Sequence, residues 1–81
     1  NVTNYPNPVS TTTTIAFLSP GGQVAINLLD TQGRFILKIT QGRYPAGFHR
    51  VVFDRSSLNS GTYFYQVVLN GIAVTKKMLV L

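Results

Sequence analysis

The chain contains no cysteine, no tryptophan and no glutamate, and Asp30 and Asp54 are its only acids among 81 residues. Without cysteine there is neither a disulfide framework nor a thiolate metal site. That separates the chain from the small extracellular domains held together by bridges. One histidine and two aspartates do not make the clusters on which zinc and calcium sites draw. Glycoside hydrolysis needs two carboxylates across a sugar cleft, whereas Asp30 and Asp54 each end a strand-like run beside a turn, where acids commonly accept backbone N–H groups. His49 shares a strand face with Val51 and Phe53, the setting of a packed, hydrogen-bonded rim residue rather than of a triad base. Gly21-Gly22 is followed by neither a helical pattern nor a Lys-Ser/Thr pair, so it is not a phosphate loop. These absences point away from an enzyme, and no cofactor is expected. No apolar run approaches the roughly 18 residues of a helical membrane span.

What is present is apolar and β-prone. Hydrophobic residues make up 44% and charged residues 11%, too apolar a balance for a disordered tail. The length suits one small domain over residues 1–81, in which folding buries about 60–65% of the surface of the unfolded chain. The sequence starts at Asn1 without a methionine, a basic segment or an apolar signal core, and reads as the C-terminal module of a longer protein. Asn1-Val2-Thr3 matches a glycosylation sequon, a pattern short enough to arise by chance.

The net charge of +5 reflects scarcity of acids rather than a basic run. Arg34, Lys38, Arg43, Arg50, Arg55, Lys76 and Lys77 are spread along the chain. The plain reading is a solvated rim that keeps an apolar domain soluble; the same charge attracts anionic lipid headgroups or lipopolysaccharide. Nucleic acid is not expected as a partner. Tyr63 and Tyr65 share a face with Val67 and Leu69, and no aromatic joins Arg34 and Lys38, so the exposed basic and aromatic platform of a single-strand binder is missing.

Turn residues divide the chain at short, even intervals, the signature of an all-β sandwich or barrel. Tyr5-Pro6-Asn7-Pro8 lacks two backbone donors and suits a sheet edge or a lead-in, with a further edge strand near Val2 to Tyr5. Strands are expected over Thr11–Leu18, with Ile15 and Phe17 on one face, and over Gln23–Leu29, with Val24, Ile26 and Leu28 on one face. A turn at Asp30-Thr31-Gln32-Gly33 leads into Arg34–Thr40, where Phe35, Leu37 and Ile39 point one way; the two runs form a hairpin. Gln41–Gly47 reads as a loop, Phe48–Asp54 as a strand, and Arg55–Ser60 as a connection whose Leu58 plugs the open end of the core. Thr62–Leu69 then presents Tyr63, Tyr65, Val67 and Leu69 on one face. Asn70-Gly71 is the strongest hairpin signal, since both residues accept positive φ. No window carries a helical period, and six to seven short strands suit a small immunoglobulin-like antiparallel β-sandwich.

The run Ile72–Leu81 is the most informative. Lys77 shares a face with Ala73, Thr75, Leu79 and Leu81; Lys76 shares the other with Ile72, Val74, Met78 and Val80. A lysine in each row marks an edge strand guarded against aggregation. The same edge suits docking onto a receptor by backbone pairing, with the lysines conferring selectivity. Self-association through this strand is a further possibility, although a monomer is the expected state. Tyr44, Phe48 and Phe64 are candidates for stacking on sugar; Tyr44 and Phe48 flank the Gln41–Gly47 loop, where either also caps the core.

Several segments, in order, resemble one family: Asn4-Tyr5-Pro6-Asn7-Pro8; Val24 to Asp30 with Gln32-Gly33-Arg34; Ala46-Gly47-Phe48-His49; Leu58-Asn59-Ser60-Gly61-Thr62-Tyr63-Phe64-Tyr65; and Lys76-Lys77-Met78-Leu79-Val80. The set is similar to the C-terminal sorting domain of type IX secretion cargo and covers nearly the whole chain. The resemblance implies a non-catalytic signal that directs an upstream cargo through the periplasm and across the outer membrane to the cell surface or beyond. It implies outer-membrane components of the secretion apparatus and a sortase-like protease as partners, and attachment of the cargo to anionic lipopolysaccharide. It places partner recognition on Gly61, Tyr63, Lys76, Lys77, Met78, Leu79 and Val80. Phe53 stands where the family commonly has tryptophan, and the final basic residue of many members is replaced by Leu81. The sandwich also resembles the immunoglobulin-like part of flagellar hook-capping proteins, and a structural or carbohydrate-binding module of a surface protein is the alternative reading.

Overall fold

The computed structural model describes residues 2–56 and 58–81. Asn1 of the sequon and Ser57 of the Arg55–Ser60 connection lie outside the described residues. The strands are β1 (Val2–Tyr5), β2 (Thr12–Ser19), β3 (Gly22–Leu29), β4 (Phe35–Tyr44), β5 (Gly47–Asp54), β6 (Gly61–Leu69) and β7 (Ile72–Val80). They form a three-stranded sheet in the order β1-β2-β5 and a four-stranded sheet in the order β4-β3-β6-β7. All pairings between these strands are antiparallel. The fold is the all-β sandwich that the even spacing of turns predicts.

Period-two patterning decides which face of each strand is buried. Ile15 and Phe17 of β2, Val24, Ile26 and Leu28 of β3, Tyr65 and Val67 of β6, and Met78 and Val80 of β7 are buried between the sheets. Leu58 packs against this core from its connection, as a plug. Phe53 of β5 is buried as well. Burial pushes the Tyr65 hydroxyl pKa up from its ordinary value. Removing such side chains from water stabilises the fold by about 1.5–3 kcal/mol each.

Two expectations require correction, both on β4. Gln41–Gly47 is not a loop: β4 continues to Tyr44 and β5 starts at Gly47, so only Pro45 and Ala46 connect the sheets. Gly42 reads as a breaker in the sequence but pairs with Val24 inside the ladder, where no atom stands near enough to need its missing side chain. Phe35 does not share the inward face of Leu37 and Ile39. The β3–β4 register shifts between Ile26 and Asn27 and again between Leu28 and Leu29, so Ile39 and Ile36 are each left without an opposite residue. Each such bulge reverses the alternation beyond it. Phe35 is consequently 59% exposed, while Leu37 and Ile39 pack against the core.

Asp30 and Asp54 serve their own turns. Asp30 Oδ1 accepts from the N–H groups of Gln32 and Arg34, both at 2.9 Å, and Oδ2 accepts from Arg34 Nε at 2.9 Å. The Arg34 backbone N–H, together with its guanidinium, holds the Asp30 carboxyl below the usual carboxylate pKa against a smaller opposing effect of desolvation. Asp54 Oδ1 accepts from Ser56 N–H at 2.8 Å. His49 packs between Phe17 and Tyr44, with ring centroids at 5.7 and 5.0 Å. Its Nε2 lies 2.7 Å from the Pro45 carbonyl; because a carbonyl only accepts, Nε2 carries the proton.

Candidate functional site: the terminal strand and its clip

β7 is the outer strand of the four-stranded sheet. It reaches that place through the Asn70-Gly71 turn, where φ is +49° and +85°, the paired positive angles of a type I′ turn. The ladder then runs without a break from Leu69↔Ile72 to Gly61↔Val80. Even-numbered side chains face the other sheet, so Met78 and Val80 are buried and Val74 is half-buried. Odd-numbered ones face outward. Lys77 stands opposite Phe64 and Leu79 opposite Thr62, and both Lys77 and Leu79 are exposed. Lys76 belongs to the inward row yet is exposed, because at the sheet's edge it reaches past β1. There it borders a cavity of about 270 Å³ with Val2, Thr3, Ala16 and Phe48.

The opening Pro-Asn-Pro segment closes part of this edge. After β1 the chain leaves the three-stranded sheet and crosses to β7. Val9 forms a parallel bridge to Val80, donating from its N–H to Leu79 O at 2.8 Å and accepting from Leu81 N–H at 2.9 Å. Asn7 bridges the same strand: its Oδ1 accepts from Leu79 N–H at 3.0 Å and its Nδ2 donates to Lys77 O at 3.3 Å. Thr13 anchors the crossing segment, donating to Pro6 O at 3.0 Å and accepting from Asn4 Nδ2 at 3.1 Å. Arg55 holds the end of the strand through Leu81 O and reaches Leu58 O at 2.7 Å. Val9 is fully buried.

The structure therefore brings five of the seven expected recognition residues, Lys76 to Val80, onto one strand, with Gly61 and Tyr63 beside them on β6 opposite Val80 and Met78. Tyr63 donates from its hydroxyl to Asn59 O at 2.7 Å. Gly61 has φ of +153°. Reasoning from the sequence missed Asn7 and Val9 as partners of this strand. The signal present was Asn7 between two prolines, a polar side chain in a segment unable to pair regularly through its own N–H groups.

Of the candidate sugar-stacking residues, Tyr44 packs edge-on against Phe17 at 5.3 Å and caps the core. Phe64 is half-buried on the outer face of the four-stranded sheet. Phe48 is 71% exposed on the outer face of the other sheet and caps nothing.

The terminal strand edge is the distinctive feature of this sandwich, and Asp30 and Asp54 are bonded within their own turns. Over residues 3–81 the chain matches the family described as "Secretion system C-terminal sorting domain", and it belongs to that family. It is a C-terminal sorting signal for type IX secretion, a role that implies interaction with the secretion system and delivery to the cell surface or outside. No curated protein matches the chain.

Proposed function

We propose that residues 1–81 form a single sorting domain, the tail of a longer cargo, read by outer-membrane components of the type IX apparatus after passage through the periplasm and then by a sortase-like protease. The observation that carries this reading is the terminal strand: Lys76, Lys77 and Leu79 are presented on it while Met78 and Val80 bury their side chains beneath. In this division Lys76, Lys77 and Leu79 meet the partner. Met78, Val80, Tyr63 and Gly61 hold the strand in place. The excess of cations also favours contact with anionic lipopolysaccharide at the outer surface, and the domain acts as a monomer.

The burial of Met78 and Val80 decides the experiment. Deleting Lys77 to Leu81 removes core side chains as well as surface ones, so loss of export after truncation mixes unfolding with lost recognition. The pair Lys76→Glu and Lys77→Glu changes only exposed side chains and leaves the fold intact. Fused to a reporter in a type IX-competent host, the double variant is expected to lose most surface delivery while keeping its melting temperature within a few degrees. Wild-type export by the folded double variant would overturn the reading.

A further inference from the structure

The clip covers only part of the terminal edge. In an antiparallel ladder, alternate residues turn both N–H and C=O away from the paired strand. Leu79 does so toward the Asn7–Val9 segment, and the same alternation turns Lys77, Thr75 and Ala73 outward. Asn7 takes the Lys77 carbonyl. Among the described residues, nothing bonds the outward N–H and C=O of Ala73 and Thr75, or the N–H of Lys77. This stretch is continuous in register with β6, without a bulge. Its residues, Ile72-Ala73-Val74-Thr75, include no proline, glycine or charge, and Ile72 is 72% exposed. The opposite edge of this sheet differs, since β4 carries two register shifts and the charged Lys38 and Arg43.

We propose that the Ile72–Lys77 edge is a strand-addition site for an extended acidic segment of a partner protein, which adds antiparallel to β7 and makes the four-stranded sheet five-stranded. The proposal rests on the sorting reading and specifies the partner's chemistry. In antiparallel addition the incoming strand meets Lys77 first, then Lys76, then Thr75 to Ile72. Side chains directly opposite across such a ladder lie about 4.5–5.5 Å apart. Two adjacent carboxylates at the start of the incoming strand therefore meet the two lysines, one on each face, and β-branched residues after them meet Val74 and Ile72. The clip stops the addition at Lys77, which fixes its register. A second copy of the chain lacks the required sequence: its two acids, Asp30 and Asp54, are far apart and bonded within their own turns.

The test uses the whole chain and two synthetic peptides, acetyl-EETVTVT-amide and acetyl-KKTVTVT-amide, with amide hydrogen exchange read by NMR. With the glutamate peptide at about ten times its Kd, exchange at Ala73, Thr75 and Lys77 is expected to slow about tenfold; the lysine peptide leaves it unchanged. The Lys76→Glu, Lys77→Glu chain reverses the preference. Equal protection by both peptides, or protection by neither, would refute the proposal. So would protection of Ala73 and Thr75 that grows with protein concentration alone, which would assign the edge to a second copy. If export still depends on the lysine pair while neither peptide protects the edge, the strand-addition site fails and the sorting reading stands. If export is indifferent to the lysines, the sorting reading of this surface fails as well.

Discussion

Replacing Asn7 with alanine removes the two side-chain bonds that join the opening segment to the terminal strand, to Leu79 N–H at 3.0 Å and to Lys77 O at 3.3 Å. A hydrogen bond of this kind contributes about 0.5–1.5 kcal/mol net. Here both freed backbone groups lie on a sheet edge that water reaches, and the second bond is long, so the low end applies and the pair is worth about 1 kcal/mol. Against a total of about 4–12 kcal/mol expected at this length, the domain stays folded. Its melting temperature is expected to fall by about 4–8 °C. The sharper readout is local. Exchange at the Leu79 amide should accelerate well beyond that at Val67 in the sheet interior, because the edge opens without global unfolding. Leu81 N–H, held by Val9, should follow in part. An Asn7→Ala chain whose Leu79 amide exchanges at the wild-type rate would show that Asn7 does not secure the strand.

Two further perturbations probe the turns. A Cβ on Gly22 would stand 2.2 Å from Asn70 Oδ1, and its φ of +125° disfavours any side chain; Asn70 cannot yield easily, since its amide also bonds Gln23 N–H and Gly21 O. Gly22→Ala is expected to cost about 1–3 kcal/mol, read as a lower urea midpoint with unchanged slope. Because the folded state lowers the Asp30 pKa, its contribution is present above the unfolded value of about 3.9 and lost as pH falls through the folded one. The gap in melting temperature between the wild type and Asp30→Asn should therefore be widest near neutrality and narrow in acid; a gap independent of pH would exclude the carboxylate charge as its source.

Much of this fold was legible in the sequence because strand periodicity is a local property. The alternation of Val24, Ile26 and Leu28, or of Tyr63, Tyr65 and Val67, needs only neighbouring residues to be read. The Asn70-Gly71 turn likewise carries its geometry in its two residues. What escaped was set by partners far away in sequence. The bulges in β4 come from its pairing with β3, and nothing in Arg34–Thr40 alone tells that Phe35 will turn outward. Gly42 looks like a breaker until a paired strand supports it. The residues of the terminal strand were identifiable, but not that Met78 and Val80 would be buried while Lys76, in the same row, reaches solvent. The clip was the least visible part, since Asn7 and Val9 gain their meaning only beside Leu79.

That clip also bears on when the domain can form. Asn7 and Leu79 stand 72 residues apart, and closing a loop of that span carries an entropic cost of about 4 kcal/mol beyond a constant. Within the domain, the crossing segment is synthesised before the strands it closes against and waits for them. Any chain that stops short of residues 79–81 leaves Val9 with neither backbone partner, and the lead-in hangs free. Closure of the sandwich thus requires residues 79–81, and a chain lacking them is expected to keep an unclosed, protease-sensitive lead-in, which limited proteolysis would read.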